Sequence, residues 1–407
     1  MEIQTNYLTV SGTEPAIPEI IYLDNNATTP LDPRVLKAMM PYLTENYANA
    51  ASTHRFGVSA HEAVKQARQQ VADLIGADTH EIIFTSGATE AINLAIKGVA
   101  ESHSQKGKHI VTVSTEHSAI LDTCRYLETK GYEVTYLPVQ SDGLLDLEVV
   151  KSAIRPDTIL VSVMHVNNET GVIQDIQAIS KLTHAQGAIF MTDATQSVGK
   201  IPVNVDDLGI DLMTFSGHKI YGPKGIGALY IRQRQNRIKI PALIHGGGHE
   251  RGLRSGTLNV PGIVGLGKAC ELAGNEMVEN AKRIREMRDF LENELLKIEG
   301  TWINGNREKR LYNVTNIGFE GVDSEALIMG LSNPESDSPM IVVSNGSACT
   351  ASRIDPSHVL IAMGLNEVRA FNCIRLSLCA FKESFCLSEI VSKISNVTTE
   401  LKRFNYS

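Results

Sequence analysis

Two hydrophobic periods alternate along residues 58–230. The stretch "GVSAHEAVKQARQQVADLIGA" sets Ala60, Ala63, Val64, Ala67, Val71, Leu74 and Ile75 on one stripe, the spacing of an amphipathic helix. Shorter runs follow: "EIIFTSG", "HIVTVSTEH", "EVTYLPV", "TILVSVMHV", "AIFMTDA", "IDLMTFSGHK" and "IGALYI". They are apolar at successive positions and rich in β-branched residues, with helical or loop segments between most of them. Such runs predict strands buried on both faces of a mainly parallel sheet that helices cover. Beyond Pro261 the texture changes. The charged amphipathic "NEMVENAKRIREMRDFLENELLKIEG" predicts a long linking helix. "LYNVTNIGF", "DSEALIMGL", "MIVVSNG", "PSHVLIAMGL", "NCIRLSLCAF" and a last helical stretch then predict a smaller α+β domain.

Composition narrows the classes. A chain of 407 residues, 43% of them hydrophobic, can build a large core and more than one domain. A net charge of −8 gives no electrostatic case for direct nucleic-acid binding or an anionic membrane. No apolar run reaches the length of a membrane span, and no basic-then-apolar leader opens the chain, so a cytoplasmic protein is expected. Six cysteines in this length do not form a disulfide framework. Cys373, Cys379 and Cys386 lie too far apart for a structural zinc pair, so no metal is expected and core packing is the default reading for them.

Candidate chemistry gathers where the strands end, the usual ligand edge of an open α/β sheet. "HIVTVSTEHSAI" ends in His117, "VMHVNNETG" in Asn167, Asn168 and Glu169, "AIFMTDATQS" in Asp193 with Gln196 behind it, and "DLMTFSGHKIYGPKG" in Ser216, His218 and Lys219. In "EIIFTSGATEAINLAIKG" a Gly turn opens a helix near Thr89 and Glu90, where free amides suit a phosphate; an ordinary turn capped by Ser86 fits equally. One cofactor needs this set: pyridoxal phosphate takes a lysine amine, a carboxylate at its ring nitrogen and a phosphate cup. Lys219, Asp193 and the Thr89 helix start supply these, with Ser216 and His218 as further phosphate donors. Two glycine-rich stretches are decoys. "GIVGLGKA" lacks the Ser or Thr of a P-loop and follows no strand, and "GGGHERG" lacks dinucleotide spacing. Taken alone, Cys349 in "VVSNGSACTAS" reads as a small packed hydrophobe.

With these residues assembled, the sequence resembles the cysteine desulfurases of nitrogenase maturation and iron–sulfur cluster assembly. The likeness rests on "YLDNNATTP", "FTSGATEAINLAIKG", "TEHSAI", "HVNNETGVIQ", "DATQSVGK", "SGHKIYGPKGIGALY", "GGGHERGLRSGTLNVPGIVGLG", "SNGSACTAS" and "IRLSL". The resemblance implies the fold type I, aspartate-aminotransferase-like α/β architecture of pyridoxal-phosphate enzymes. It has a large, mainly parallel seven-stranded sheet domain over residues 28–275, and a small domain from 1–27 and 276–407 that carries the catalytic cysteine. It makes Lys219 the Schiff-base lysine and Asp193 the partner of the ring nitrogen. His117 stacks on the ring and handles protons, and Asn168 and Gln196 touch its substituents. Ala88, Thr89, Ser216 and His218 hold the phosphate, and Thr257 reaches the phosphate of the other subunit of a homodimer. Cys349 becomes the persulfide carrier, and Arg375 holds the carboxylate of L-cysteine. The residue types suit these roles: Arg offers a carboxylate a bidentate fork, His exchanges protons near neutrality, and a thiolate attacks sulfur.

The implied activity is conversion of L-cysteine to L-alanine, with sulfur passed to an acceptor protein, a cluster scaffold or sulfur carrier. An aminotransferase, a C–S lyase or a selenocysteine lyase on the same fold, and a non-catalytic sulfur relay, are the competing readings. The first two would not need Cys349, and a relay would not need every cofactor residue. Three features depart from the family pattern. "CAF" follows "IRLSL" where a Gly and a polar residue are expected, "SNPESDSPM" (332–340) lengthens the approach to Cys349, and about twenty residues precede "YLDNNATTP".

Overall fold

The computed structural model describes residues 20–234, 237–333, 339–346, 355–381 and 386–405. The chain opens with strand β1 (Ile20–Tyr22), helix α1 (Pro33–Thr44) and helix α2 (Arg55–Ile75). Strand β2 (Ile82–Thr85), helix α3 (Ala88–Ser102), strand β3 (His109–Val113), helix α4 (Ser118–Glu128) and strand β4 (Glu133–Leu137) follow. Then come helix α5 (Leu147–Ala153), strand β5 (Thr158–Ser162), helix α6 (Ile176–Ala185), and strands β6 (Ile189–Asp193), β7 (Leu212–Ser216) and β8 (Gly227–Ile231). The remainder comprises α7 (Val260–Leu295), β9 (Thr301–Asn304), β10 (Val314–Phe319), α8 (Ser324–Leu331), β11 (Met340–Val342), α9 (His358–Ala362), α10 (Glu367–Phe371), β12 (Cys373–Ser377) and α11 (Leu387–Asn405).

Each of the seven apolar runs is a strand, and together they form one sheet in the order β2-β8-β7-β6-β5-β3-β4. All neighbours are parallel except β8, which runs antiparallel to β7 and β2. Every residue of β3, β5, β6, β7 and β8 is buried, while β4, at the edge, is not. Alternate residues serve opposite faces. Val111, Val113, Phe190, Met213 and Phe215 pack with α1, α2 and α7. Ile110, Ile189, Met191 and Leu212 pack with α3 and α4. The stripe on α2 is buried apart from half-buried Leu74.

The P-loop decoy is part of α7, which Asn259 caps by accepting from Gly262 N at 3.1 Å. Its glycine spacing has a packing cause: a methyl group built on Gly267 would lie 2.6 Å from Ala67 Cα of α2. The same helix runs on into the second core. There Ile284, Leu291 and Leu295 meet Leu327 and Leu331 of α8 and Ile390 and Ile394 of α11. That core is built on the antiparallel sheet β12-β10-β9 and the parallel pair β1-β11. The patterning missed β1, α1, β9 and α10. These pieces are short or only half apolar, and β1 acquires a partner only from β11, more than 300 residues away. Cys373 and Cys379 are buried as expected, but Cys386 is exposed, a correction to its packing assignment. It sits just ahead of α11, where no core element covers it. Among the described residues no helix is long and apolar enough to cross a membrane.

One link between the two cores bears directly on the site. Residues 309–311 pair with the segment after β5: Val172 bridges Arg310, Ile173 N donates to Lys309 O at 2.9 Å and Leu311 N to Gly171 O at 2.9 Å. Arg310 is itself held by Glu292 of α7 at 2.7 Å, with both side chains 1% exposed. Removing one partner of a buried ion pair leaves the other charge uncompensated. Glu292→Ala should therefore lower unfolding free energy by about 3–5 kcal/mol in urea titration, and Glu292→Met paired with Arg310→Met should lose much less. A loss below ~1 kcal/mol for Glu292→Ala would show that the pair does not hold this joint.

Candidate functional site

The ends of β2, β3, β5, β6 and β7 open onto one cavity of about 760 Å³. Because β7, β6, β5 and β3 are adjacent in the sheet, their polar terminal residues converge. Ala88, Thr89, His117, Asn168, Asp193, Gln196, Ser216, His218, Lys219 and Arg375 all line it. Thr257 does not; it is exposed and lies outside this cavity. Cys349 lies outside the described residues, though Ser344 and Gly346 on one side of it in the chain and His358 on the other line the cavity.

At one end stands the start of α3. Its N-cap is Gly87, which offers no side-chain cap. Ser86, the alternative cap, turns its N–H to Glu90 Oε2 at 2.9 Å, and Arg254 Nε donates to Glu90 Oε1 at 2.9 Å. An uncapped helix start facing a cavity presents free amides and the positive end of a helix dipole. The Ser216 hydroxyl and the His218 ring lie beside it, with His218 Nδ1 3.1 Å from Thr28 Oγ1. Burial, with Lys219, Lys224 and Lys200 nearby, pushes His218 down to about 4, so its ring is neutral near pH 7.

Lys219 occupies the turn after β7. Its Nζ donates to the carbonyls of Asn26 at 2.7 Å and Ala27 at 2.6 Å. Burial, then the charge of Arg375, pulls the amine down to about 8, against Asp193 and Asp24, which raise it. One strand across, Asp193 Oδ1 accepts from Thr195 N at 2.9 Å. Gln196 donates from Nε2 to Asn26 O at 2.9 Å and accepts at Oε1 from Lys200 Nζ at 2.7 Å, so its amide orientation is set from both sides. Lys200 is buried and drawn down to about 7, chiefly by desolvation and then by Lys219 and Arg375. His117 caps α4 by accepting from Ala119 N at 3.1 Å through Nδ1, which leaves the proton of the neutral ring on Nε2.

Arg375, on β12, enters from the second core. It donates from NH1 to Asn168 O at 3.0 Å and from NH2 to Asp24 Oδ1 at 2.6 Å, and its buried Nε has no partner among the described residues. Sequence reasoning gave no role to Asp24 or Asn26, although both stand in the quoted "YLDNNATTP"; a polar cluster directly after a short apolar strand was the available signal. It also missed Glu116, His165, Lys200 and His358. Glu116 is fully buried, accepts from Met164 N at 2.6 Å, and is pushed well above the carboxylate range by burial, with Asp193 adding to the rise. Burial drives His165 down to about 4. Asn167, singled out as a strand-end group, is structural: its Oδ1 accepts from Glu169 N and Thr170 N, each at 2.9 Å.

The set fits the cofactor the sequence pointed to. An uncapped helix start would take a phosphate, a depressed lysine amine a carbonyl carbon, and a buried carboxylate on the neighbouring strand a protonated ring nitrogen. Arg375 adds a fork suited to a substrate carboxylate.

Comparison with known proteins gives a consistent result. Residues 21–384 match the family model described as Aminotransferase class-V. The cysteine desulfurase IscS of Pasteurella multocida is 53% identical over 388 residues, 95% of this chain and 94% of that one. The cysteine desulfurase IscS of Mannheimia succiniciproducens is 56% identical over 361 residues, 88% of this chain and 87% of that one. Among solved structures, a NifS-like protein matches with a TM-score of 0.83 at 38% identity, over 94% of this chain and 98% of its own. SspA, solved in complex with cysteine, matches with a TM-score of 0.77 at 40% identity, over 89% and 99%.

The depressed amine of Lys219 has a measurable sign. In cofactor-free protein its folded value of about 8 lies below the ordinary 10.5, so between those two pH values the unfolded chain binds the proton that the folded chain has released. The contribution of Lys219 to stability is therefore most unfavourable below pH 8 and improves as pH rises through that window. Labelling of Lys219 by an amine reagent, followed by peptide mass spectrometry, should show a midpoint near pH 8. A midpoint at 10 or above would contradict the desolvated site.

Proposed function

The chain belongs to the class-V aminotransferase family and is a pyridoxal-phosphate-dependent cysteine desulfurase, and on that premise we propose that it moves the sulfur of L-cysteine onto Cys349 and from there to an acceptor protein. The observation that carries the reading is Lys219: a lysine at a strand end, its amine drawn down to about 8, with Asp193 on the adjacent strand and Arg375 across the cavity.

Lys219 would hold the cofactor through Nζ, and Asp193 would face its ring nitrogen. His117 would lie over the ring, with Asn168 and Gln196 at its substituents. Ala88, Thr89, Ser216 and His218 would take the phosphate, joined by Thr257 of a second copy. When bound, pyridoxal phosphate supplies an electron sink for bond breaking next to the substrate's Cα. The chain's own groups do the rest. Arg375 receives the substrate carboxylate with its guanidinium fork. Lys219, neutral in part near pH 8, takes the Cα proton and returns it. The Nε2–H of His117 gives and recovers a proton on the cavity side. The Cys349 thiolate attacks the substrate sulfur: an S–S bond forms, the C–S bond breaks, and its electron pair ends as a C–H bond on the former Cβ after protonation. The sum is thiol plus L-cysteine giving persulfide plus L-alanine, with no outside oxidant.

The working unit we propose is a homodimer. On α1 and the segment into α2, Leu36, Met40, Leu43, Tyr47, Phe56 and Val58 are all exposed, and the rings of Tyr47 and Phe56 meet edge-on at 5.5 Å. An apolar face of that size suits a second copy. The reading takes 28–275 as the cofactor domain and 1–27 with 276–407 as the thiol-bearing domain. Burial of Ile21 and Leu23 in the second core supports that division. The five free cysteines among the described residues suit a reducing compartment, the cytoplasm. The acceptor we propose is a cluster scaffold or a sulfur carrier.

Cys349→Ser should bind cofactor and cysteine, keep its absorbance, and form no alanine or persulfide. Sulfur found by mass spectrometry mainly on Cys373 or Cys379 would overturn the assignment. A Lys219→Ala subunit mixed with a Thr257→Ala subunit should recover activity above either parent, because one site of the mixed dimer carries neither lesion. A fully active monomer would refute the shared site.

A further inference from the structure

Glu169, just past the end of β5, is a carboxylate the transfer chemistry leaves unused. It is 2% exposed, and burial pushes it up to about 7, against the Ser357 hydroxyl and the charge of Arg375, which lower it. The backbone beneath it is firm, because Asn167 Oδ1 accepts from its N–H and from that of Thr170. Its Oε2 is approached from two sides. Ser357 Oγ donates to it, and the same hydroxyl accepts from Leu360 N at 3.2 Å to cap α9. On the other side Gly346, at φ +81°, passes so near that a methyl group built on it would lie 2.7 Å from Oε2. One carboxylate oxygen therefore touches two stretches of chain that are eleven positions apart, and Cys349 lies between them in sequence.

The neighbouring contacts follow the same plan. His358 Nε2 lies 3.0 Å from the carbonyl of Glu116, after β3, and Ser344 pairs through its backbone with Arg375. Every described root of the Cys349 stretch is thus tied either to a strand end of the large sheet or to the carboxylate-binding arginine. Among the described residues, a buried acid whose hydrogen-bond donor is Ser357 and whose charged neighbour is Arg375 is poorly explained as packing, since an apolar side chain would fill the same space without a desolvation cost.

We propose that Glu169 is a positioning residue for sulfur transfer, holding Ser357 by a hydrogen bond and leaving Gly346 no room to shift toward it, so that the chain on both sides of Cys349 stands at a set place on the cavity rim. This rests on the reading of Cys349 as the sulfur-accepting thiol. Glu169 lines the cavity, but in this role it acts on the chain and not on substrate or cofactor. It acts through the two roots, and the effect of losing it falls on the thiol step alone.

Two readouts on the cofactor-loaded enzyme separate that role from a structural one. Exchange of the Cα hydrogen of L-alanine with deuterated water, followed by NMR, needs Lys219, Arg375 and the cofactor but no thiol. Single-turnover transfer of labelled sulfur from L-cysteine to protein needs Cys349 as well. Glu169→Ala should slow transfer roughly tenfold to a hundredfold, as small misplacements of a reacting group do, while exchange stays within about twofold. Glu169→Gln should keep most of the transfer rate, because its side-chain carbonyl can still accept from Ser357. Ser357→Ala should lose transfer in the same selective way, and it decides the matter if Glu169→Ala fails to fold. Equal losses in both readouts, or transfer at the wild-type rate in Glu169→Ala and Ser357→Ala, would overturn the proposal. Label persisting in Cys349→Ser would instead strike the reading of Cys349, and the proposal would fall with it for that separate reason.

Discussion

The carbonyl oxygen of Asn26 is the point on which the site depends. It accepts from Lys219 Nζ and from Gln196 Nε2, both on the large sheet's ligand edge. The same residue donates its N–H to Ser377 Oγ at 2.9 Å, at the end of β12, and its side-chain amide to Asn168 O at 3.1 Å. One residue of a turn therefore satisfies groups from four parts of the chain. Backbone amides and carbonyls must find partners when buried, and here that demand joins the two cores across the cavity. Asp24, two residues earlier, holds Arg375 at 2.6 Å, so the groups proposed to bind substrate and cofactor are tied to one short segment.

Desolvation then tunes the chemistry. Lys219 and Arg375 line the cavity with Lys200 buried close to them; burial first, and then the charge of Arg375 on both amines and of Lys219 on Lys200, pulls both amines toward neutrality. A protonated amine can neither bind a carbonyl carbon nor accept a proton, so a lysine near its ordinary pKa would be idle for most of the time at pH 7. On the acid side, burial raises Glu116 and Glu169. The cost of burying so many ionisable groups is offset by a sheet apolar on both faces and a helix, α7, that contributes to both large cores. The scaffold is rigid where the site needs rigidity: the β5–α6 segment is pinned by an asparagine turn within and by residues 309–311 from outside.

Much of this was legible in the chain before any fold was known. Seven strands followed from short β-branched runs, six of them apolar at successive positions because a strand buried on both faces must be apolar on both, while β4 lies at the exposed edge. The α2 stripe followed from its period. The strand-end residues Asp193, Ser216, His218 and Lys219 could be found because polar groups closing an apolar run are costly unless they have partners. What the residue order determined by itself is thus the set of elements and the chemical types at their ends, since both are local consequences of side-chain periodicity and solvation. Only the tertiary structure decided which ends meet. The order β2-β8-β7-β6-β5-β3-β4 places β7 beside β6, and so Lys219 near Asp193, through strand pairing that no local pattern encodes. It also decided that β1 pairs with β11, that a main-chain carbonyl at Asn26 serves Lys219, and that Glu169 reaches Gly346 and Ser357. Carbonyl oxygens are the same in every residue, and contacts between positions far apart in the chain have no local signature, so these relations exist only once the backbone has closed on itself.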